Sequence, residues 1–469
     1  MDTIKLNDHI GRNCMNKFKD IERNVLNKIT PKQKDREKLQ KTISLFIEKV
    51  RDELLEKKIN ASIELVGSTA KDTYLKNNLD IDLFIIFPPL LSEETIAQTT
   101  LDIGRSILEN TEECFAEHPY IRGDFYGYKA ELVPCYQISD ASEKISAVDR
   151  TPLHTRYVKK KLQEDQKKDV RLLKQFLTGI NCYGAEAEIQ GFSGYLCELL
   201  IIKFERFHQL LDHVRHWEEG MEISLTNHPI PHFDDPLIFI DPVDKDRNVA
   251  AAVAPHTFRQ FISASTDYLK TPKKTFFFPK PAKPWSLHQI KTKLNAQPAA
   301  YIGIQFTKPN IINENLYPQV RKACTSIKNA SIQQDFIIKD IRFHIDTETN
   351  TIYIILKTND EPLSETYIHK GPPTSLEKNT QEFIDKWKKH PATVKPPFQH
   401  HRRTFVTVKR TYRYLQRYLQ DNLPKLSLGK HIDAVISEKY DILSQRDLIK
   451  PELQLFWTKY LDDKKPWER

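Results

Sequence analysis

The sequence predicts an α+β chain: a mixed sheet with helices first, a mainly helical middle, and strands alternating with helices towards the C-terminus. Three observations carry this. The apolar run Leu79 to Phe87, interrupted only by Asp80 and Asp82, reads as a buried strand. Leu196, Leu200, Phe204, Phe207 and Leu211 recur at helical spacing as one apolar face, which belongs in a core. Beyond residue 285, runs such as Thr351-Ile352-Tyr353-Ile354-Ile355-Leu356 read as strands among helical stretches. A chain of 469 residues has room for about three domains, expected at 1–155, 156–271 and 272–469.

In chain order, Thr30-Pro31 reads as an N-cap with proline at the first helical position, followed by Leu39, Ile43, Phe46, Ile47, Val50 and Leu54 on one helix face. Ile63-Glu64-Leu65 alternates as a strand, and Val66-Gly67-Ser68-Thr69 as a tight turn opening a helix with Ser68 near its N-cap. Residues 92–116 read as an amphipathic helix. In Tyr128 to Val133, Ala130 and Leu132 share one strand face and Glu131 takes the other, with Pro134 ending the pairing. Residues 165–270 are mainly helical. The proline-rich link Thr271 to Pro284 holds Thr275-Phe276-Phe277-Phe278-Pro279, expected as a strand entering the next domain. Phe336 to Ile345 and Thr351 to Leu356 are strands with a turn near Asn350, and Lys395-Pro396-Pro397 breaks the chain. In Thr411 to Leu419 a helix would set Tyr412, Leu415 and Leu419 on one face, and Arg410, Arg413, Tyr414 and Arg417 on another.

The chemistry is concentrated where Gly67-Ser68 precedes Asp80-Ile81-Asp82. Carboxylates at i and i+2 of a strand share a face, while Ile81, Leu83 and Ile85 enter the core. Close, unpaired carboxylates repel each other unless cations neutralise them. Mg²⁺ is usually held by one or two carboxylates plus substrate phosphates. A Gly-Ser turn at a helix start aims N–H groups and a hydroxyl at an anion, so the combination points to phosphoryl or nucleotidyl transfer. GxxxxGK[ST] is absent, so this is not a P-loop. Glu131 could join the pair from a neighbouring strand; its ordinary reading is an exposed strand acid.

The net charge of +8 favours an anionic partner, although charge alone does not separate nucleic acid from solubility. Between His400 and Lys430 stand Arg402, Arg403, Lys409, Arg410, Arg413, Arg417, Lys425 and Lys430 against Asp421 alone, a net +7 interleaved with tyrosines that suits phosphate tracking and stacking on RNA. Cys14, Cys114, Cys135, Cys182, Cys197 and Cys324 show no paired metal spacing and read as reduced thiols. With no signal segment and no apolar run near ~18 residues, a soluble cytoplasmic protein without a membrane partner is expected.

GST, DIDLFIIFP, ELVPCY, SAVDRTPLH, VRLLK, YGAE, GFSGYLCELL and DPVDKDRNVAAA, in that order, resemble segments of the DNA-polymerase-β-like nucleotidyltransferase superfamily, and within it the archaeal-type (class I) CCA-adding enzymes. The resemblance covers about residues 60–255. It implies a polymerase-β-like head, a helical central domain, an RNA-binding C-terminal region, and template-independent addition of CCA to tRNA from CTP and ATP. Asp80, Asp82 and Glu131 would be catalytic and hold two Mg²⁺ ions. Gly67, Ser68, Lys71, Thr151, His154, Lys174 and Tyr183 would meet the triphosphate and sugar, and Arg247 would read the base. Without the resemblance, Thr151, His154, Lys174 and Tyr183 are a cap, a surface histidine, a surface lysine and a core tyrosine. Asp149-Arg150 would be a pair that orients its loop. Arg402, Arg403, Lys409, Arg410, Arg413 and Arg417 would meet the acceptor and T-arm of tRNA, with a homodimer left open.

The family usually has Glu at the position of Asp80, Asp at that of Glu131 and Arg at that of Lys71. One methylene matters to an ion demanding near-octahedral geometry, and lysine lacks the bidentate fork. A poly(A) polymerase or oligonucleotide synthetase would share the three acids without needing CTP. An RNA-binding protein with a decayed nucleotidyltransferase domain is the alternative of a different class.

Overall fold

The computed structural model describes the backbone at 2–76, 79–115, 119–227 and 229–469, and side chains within those ranges apart from 2–15 and 115. It has two compact units: residues 1–281 with 464–469, and residues 282–463.

The first unit opens with helix α1 (Asp2–Ile29), whose Ile21, Val25 and Ile29 join a helical core. Thr30 donates its N–H to Leu26 O, closing α1 rather than capping the next helix. Helix α2 (Gln33–Glu56) therefore starts after Pro31, with Lys32 as its cap. Its buried Leu39, Ile43, Phe46, Val50 and Leu54 pack on a five-stranded sheet. The strands are β1 (Ser62–Leu65), β2 (Asp80–Phe87), β3 (Glu109–Phe115), β4 (Pro119–Phe125) and β5 (Tyr128–Tyr136), in the order β1-β2-β5-β4-β3. Only β2 and β5 run parallel in this sheet. Between β1 and β2 lies the one-turn helix α3 (Gly67–Ala70).

The helix expected over 92–116 is two elements, α4 (Glu93–Ile107), capped by Ser92, and β3. Leu108 turns extended, and the acids of 109–113 lie on an exposed edge strand, whose weak apolar pattern conceals it from sequence.

Helices α5 (Arg150–Lys161), α6 (Lys167–Gly179), α7 (Gly194–Phe204), α8 (Phe207–Val214) and α9 (Pro255–Lys270) form the second core of this unit. The stripe from Leu196 to Leu211 is core, but Glu205 at φ 64° breaks it into α7 and α8. The strand expected at Thr275–Pro279 is absent. Lys274–Phe276 is a 3₁₀ turn, and Phe276 and Phe277 lie 5.9 and 5.5 Å from the Phe176 ring. Consecutive aromatic residues here enter one core instead of alternating across a sheet. The turn approaches α6 at Gly179, where a Cβ would fall 2.1 Å from Phe276 O. Residues 464–469 return to this unit: Trp467 stacks on Phe276 and Lys465 pairs with Asp267 at 2.8 Å.

The second unit carries helices α10 (Leu287–Asn295), α11 (Asn313–Gln333), α12 (Glu377–Lys388), α13 (Leu415–Asn422), α14 (Lys430–Glu438) and α15 (Gln454–Leu461). Its strands are β8 (Ala300–Thr307), β9 (Ile338–Asp346), β10 (Thr351–Thr358), β11 (Thr366–Pro373), β12 (Thr393–His400), β13 (Arg403–Lys409) and β14 (Asp441–Leu443), numbered after β6 (Met221–Ile223) and β7 (Leu237–Phe239) of the first unit. One sheet has the order β14-β8-β10-β9, with β9 and β10 joined through Asn350 at φ 53°. The other is β11-β13-β12. Lys395-Pro396-Pro397 does not break the chain; it lies within edge strand β12 beside a register shift, where missing N–H groups are tolerated.

The basic segment is not one helix. Arg402 sits in a tight turn at φ 58°, Arg403 and Lys409 lie on β13, Arg410 and Arg413 in the connection, and only Arg417 on α13.

Candidate active site

Gly67 turns the chain from β1 onto the face of β2 that carries the acids. It has φ +71°, and a Cβ there would lie 2.0 Å from Asp82 Oδ2, so glycine is required twice over. Val66 N–H donates to Asp82 O at 3.0 Å, tying the turn to the strand. Ser68 is inside α3 rather than at its cap, which is Val66.

The parallel register sets Asp82 beside Glu131, and Asp80 beside Lys129. Neighbours in register share a face, so Asp80, Asp82 and Glu131 stand on one side while Ile81, Ala130 and Leu132 are buried on the other. Burial, then the charges of Glu131 and Asp80, push the Asp82 carboxyl up to about 7. Glu131 is held by Arg122, whose Nε donates to Oε1 at 2.7 Å. No three His, Cys, Asp or Glu side chains converge into a ready metal cage among the described residues. Asp80 and Asp82 nevertheless fit a hard divalent cation: they are oxygen donors on one face, their repulsion is relieved by positive charge, and Mg²⁺ needs only one or two carboxylates beside phosphates.

Next to the Gly67 turn is a cavity of ≈ 440 Å³ lined by Gly67, Ser68, Lys71, Thr151, His154, Lys174, Tyr183 and Arg247. Every residue assigned to nucleotide contact from sequence thus meets in one space, contributed by α3, α5, α6 and the loops before α7 and α9. Lys174 is far from the surface role its type suggests: it is buried and its Nζ donates to Thr73 O at 3.1 Å. Tyr183 is half-buried and packs against the helical core while also lining the cavity.

Residues without a sequence-assigned role organise this cavity. Asp241, 1% exposed, accepts from Arg247 Nη1 (2.7 Å), Tyr195 Oη (3.1 Å) and the Val243 N–H (3.1 Å), and lies 2.8 Å from His154 Nε2. Burial alone would raise the Asp241 carboxyl, but His154, Val243 and Arg247 hold it at about 2. Burial lowers the proton affinity of His154 against the opposing pull of Asp241, and its ring stacks on Tyr195 at 4.2 Å. Glu198, fully buried on α7, accepts from Lys71 Nζ and Thr73 Oγ1, both at 2.5 Å. The available signal was a carboxylate inside the apolar run Leu196 to Ile202, which folding tolerates only if it is paired. Asp149 and Arg150 do not pair with each other. Asp149 accepts the N–H groups of Tyr136, Ile145 and Ser146, and Arg150 Nη1 lies 2.9 Å from Asp244 Oδ2.

Of the basic residues in the second unit, Arg410 pairs with Asp335 (2.7 Å), Arg413 with Glu365 (2.9 Å) and Arg417 with Asp421 (3.0 Å), whereas Arg402 and Lys409 are exposed.

A strand-borne acid pair beside a Gly-Ser turn and a lysine-rich cavity defines a nucleotidyltransferase, and residues 47–154 match the family model "Nucleotidyltransferase domain". Residues 168–278 match "tRNA nucleotidyltransferase, second domain" and 298–445 "CCA-adding enzyme, C-terminal domain". The chain is 33% identical over 457 residues to the CCA-adding enzyme of Methanothermobacter thermautotrophicus, spanning 95% of this chain and 99% of that protein. It is 35% identical over 412 residues to that of Thermoplasma volcanium, spanning 88% and 90% respectively. The chain belongs to the CCA-adding enzyme family. Among solved structures, that of E. coli MS115-1 CdnC with ATP aligns at a TM-score of 0.42 and 17% identity, over 55% of this chain and 94% of that one.

Proposed function

We infer that this protein builds or repairs the 3′ CCA end of tRNA from CTP and ATP without a nucleic-acid template, as a soluble cytoplasmic enzyme with a head at 1–155, a helical domain at 156–271 and a tRNA-binding region at 272–469. The observation that supports it most is the single cavity containing Ser68, Lys71, Lys174 and Arg247 beside the acid pair. Two Mg²⁺ ions held by Asp80, Asp82 and Glu131 would neutralise the triphosphate and lower the proton affinity of the RNA 3′-hydroxyl. That hydroxyl attacks the α-phosphorus in line, forming the new phosphodiester as pyrophosphate leaves. Ser68 and the α3 N–H groups receive phosphate oxygens, the ammonium groups of Lys71 and Lys174 offset their charge, and Asp241 fixes Arg247. No helix among the described residues is long and apolar enough to cross a membrane.

The test is incubation of the protein with tRNA lacking CCA, Mg²⁺ and each nucleotide alone or paired. CTP alone should extend the RNA by C only, and CTP with ATP should complete CCA. Extension by ATP alone into a homopolymer would instead identify a poly(A) polymerase, and no extension would leave an RNA-binding protein.

Cytosine and adenine each present an acceptor ring nitrogen beside an exocyclic amine, where uracil and guanine present a ring N–H. A guanidinium can donate to that ring nitrogen and not to a ring N–H, so one Arg247 contact at this edge suits both cytosine and adenine, which supports a single pocket. Arg247→Ala should therefore reduce C and A addition together, by about 10²-fold in kcat/KM, while leaving tRNA affinity largely intact. Loss of only one base would point to two pockets.

For tRNA, Arg402, Arg403, Lys409, Arg410, Arg413 and Arg417 remain the proposed contacts, and strand register extends the set. Lys370, Lys395, Arg403, Phe405, Phe398 and Lys409 share the face of the β11-β13-β12 sheet opposite α12, and none of its strands contains an acid. Phe398, 41% exposed, stacks on Phe405 at 5.8 Å, a platform for bases between cations that meet phosphates. Replacing Lys370, Lys395 and Lys409 together by Gln should raise KM for tRNA and flatten its log–log salt dependence by up to about 3, with KM for CTP unchanged. Arg410, Arg413 and Arg417, already paired with carboxylates, should contribute less per residue. An unchanged salt slope would move the tRNA site elsewhere.

A further inference from the structure

Two lysines in one buried pocket are a conflict that the nucleotide alone does not resolve, because the pocket must also fold empty. Lys71 and Lys174 both line the cavity, 8% and 2% exposed. The charged and titratable groups around Lys174 Nζ come from each packed element: Lys71 from the α3 end, Glu198 and Cys197 from α7, and Arg171 from its own helix. Thr73 supplies two oxygens, O at 3.1 Å and Oγ1 at 3.2 Å, and Tyr183 and Gly194 lie alongside. Among these the acid is Glu198. Its Oε2 takes Lys71 Nζ at 2.5 Å, and its Oε1 takes Thr73 Oγ1 at 2.5 Å and lies 3.6 Å from Lys174 Nζ.

We propose that Glu198 is a positioning residue for the incoming triphosphate, an internal anion that binds the Lys71 ammonium and holds that of Lys174 in place before nucleotide arrives. The proposal rests on reading the cavity as the nucleotide site. Without the carboxylate, two ammonium groups would share a water-poor space, and the more buried one would give up its proton to relieve the repulsion. Burial already lowers the proton affinity of Lys174, and Glu198 is the largest influence opposing that shift. A neutral Lys174 cannot offset phosphate charge, so loss of Glu198 should appear as nucleotide affinity that depends on pH. Glu198 touches neither the reacting atoms nor, by this reading, the base. Its bond to Thr73 also ties α7 to the segment that follows α3, so the same carboxylate aligns lysines from two parts of the unit.

The experiment measures Kd for CTP and for ATP with Mg²⁺ and without tRNA, from about pH 7 to about pH 9, on the full chain and on Glu198→Gln and Glu198→Asp. The unmodified protein should hold Kd within about threefold across that range, and Glu198→Gln should weaken with rising pH, approaching tenfold per unit once Lys174 has lost its proton. Glu198→Asp, which keeps the charge on a shorter arm, should show a shallower slope of the same sign. In the double variant Glu198→Gln/Lys174→Arg the slope should vanish, because arginine stays charged. Flat Kd in the folded Glu198 variants, with only a lower melting temperature, would assign Glu198 to folding alone and overturn the proposal. Should Glu198→Gln fail to fold, the slope of Glu198→Asp decides. An unmodified protein that binds neither CTP nor ATP would overturn the nucleotide reading of the cavity itself, a result distinct from a flat variant.

Discussion

Asp82→Asn is expected to abolish nucleotide addition, lowering kcat by about 10³-fold or more, and at the same time to make the metal-free protein more stable at pH 8. The first effect follows from losing an anionic oxygen that would hold a divalent cation beside the proposed phosphate position, where the cation would offset the negative charge that develops as pyrophosphate leaves. The second follows from the same carboxylate's surroundings. In the folded protein burial, then Glu131 and Asp80, push this carboxyl up to about 7 from its ordinary value of 3.8. The folded state therefore binds this proton more tightly than the unfolded state. Stability is highest below the unfolded value, falls as pH rises through the window between about 4 and 7, and stays at its lowest above it. Asparagine removes the charge and with it that loss, so the melting temperature in EDTA should rise above that of the parent protein at pH 8 and approach it at pH 4. Asp80→Asn, at an exposed position, should lose activity comparably with little change in melting. Turnover retained in both variants would remove the acids from catalysis. A variant inactive only because it is unfolded would show as lost melting cooperativity.

Gly67→Ala should be nearly as severe for activity, for a geometric reason. The added methyl has to enter the space of Asp82 Oδ2, at 2.0 Å, and the backbone there has φ +71°, which alanine adopts only under strain of about 1 kcal/mol or more. Either Asp82 swings away from its face or the turn moves off the phosphate position, and a displacement of about 1 Å near the reacting atoms costs on the order of 10²-fold in rate. Steady-state kinetics with saturating tRNA should show kcat falling while KM for tRNA is kept. A variant with normal kcat would mean that the turn can relax without touching either group.

The parts of this architecture that sequence revealed are those governed by local period. Asp80 and Asp82 alternate with Ile81 and Leu83, and the strand face follows from that alternation alone. The apolar face from Leu196 to Leu211 and the buried face of α2 were legible in the same way. The cavity residues were legible only through ordered motifs, since Thr151, His154 and Lys174 have unremarkable types and spacing. Features set by distant partners were concealed. Glu198 meets Lys71 and Thr73 across more than a hundred residues, so its bond is invisible in either segment alone. Arg410 and Arg413 looked free because Asp335 and Glu365 lie far upstream. Phe276 and Phe277 carry no periodicity, and their destination was a neighbouring helical core rather than a sheet.

Residues 464–469 belong to the first unit, although the chain has by then passed through all of 282–463. During synthesis the Phe276 side of the helical core therefore stays open while the whole second unit emerges, and closes only when Trp467 arrives to stack there. The order of emergence ties completion of the core beneath the proposed nucleotide cavity to prior synthesis of the region proposed to grip tRNA. A product stopped short of residue 464 would carry the acid pair and the cavity, yet expose an aromatic surface, which is the form that quality-control proteases and chaperones recognise.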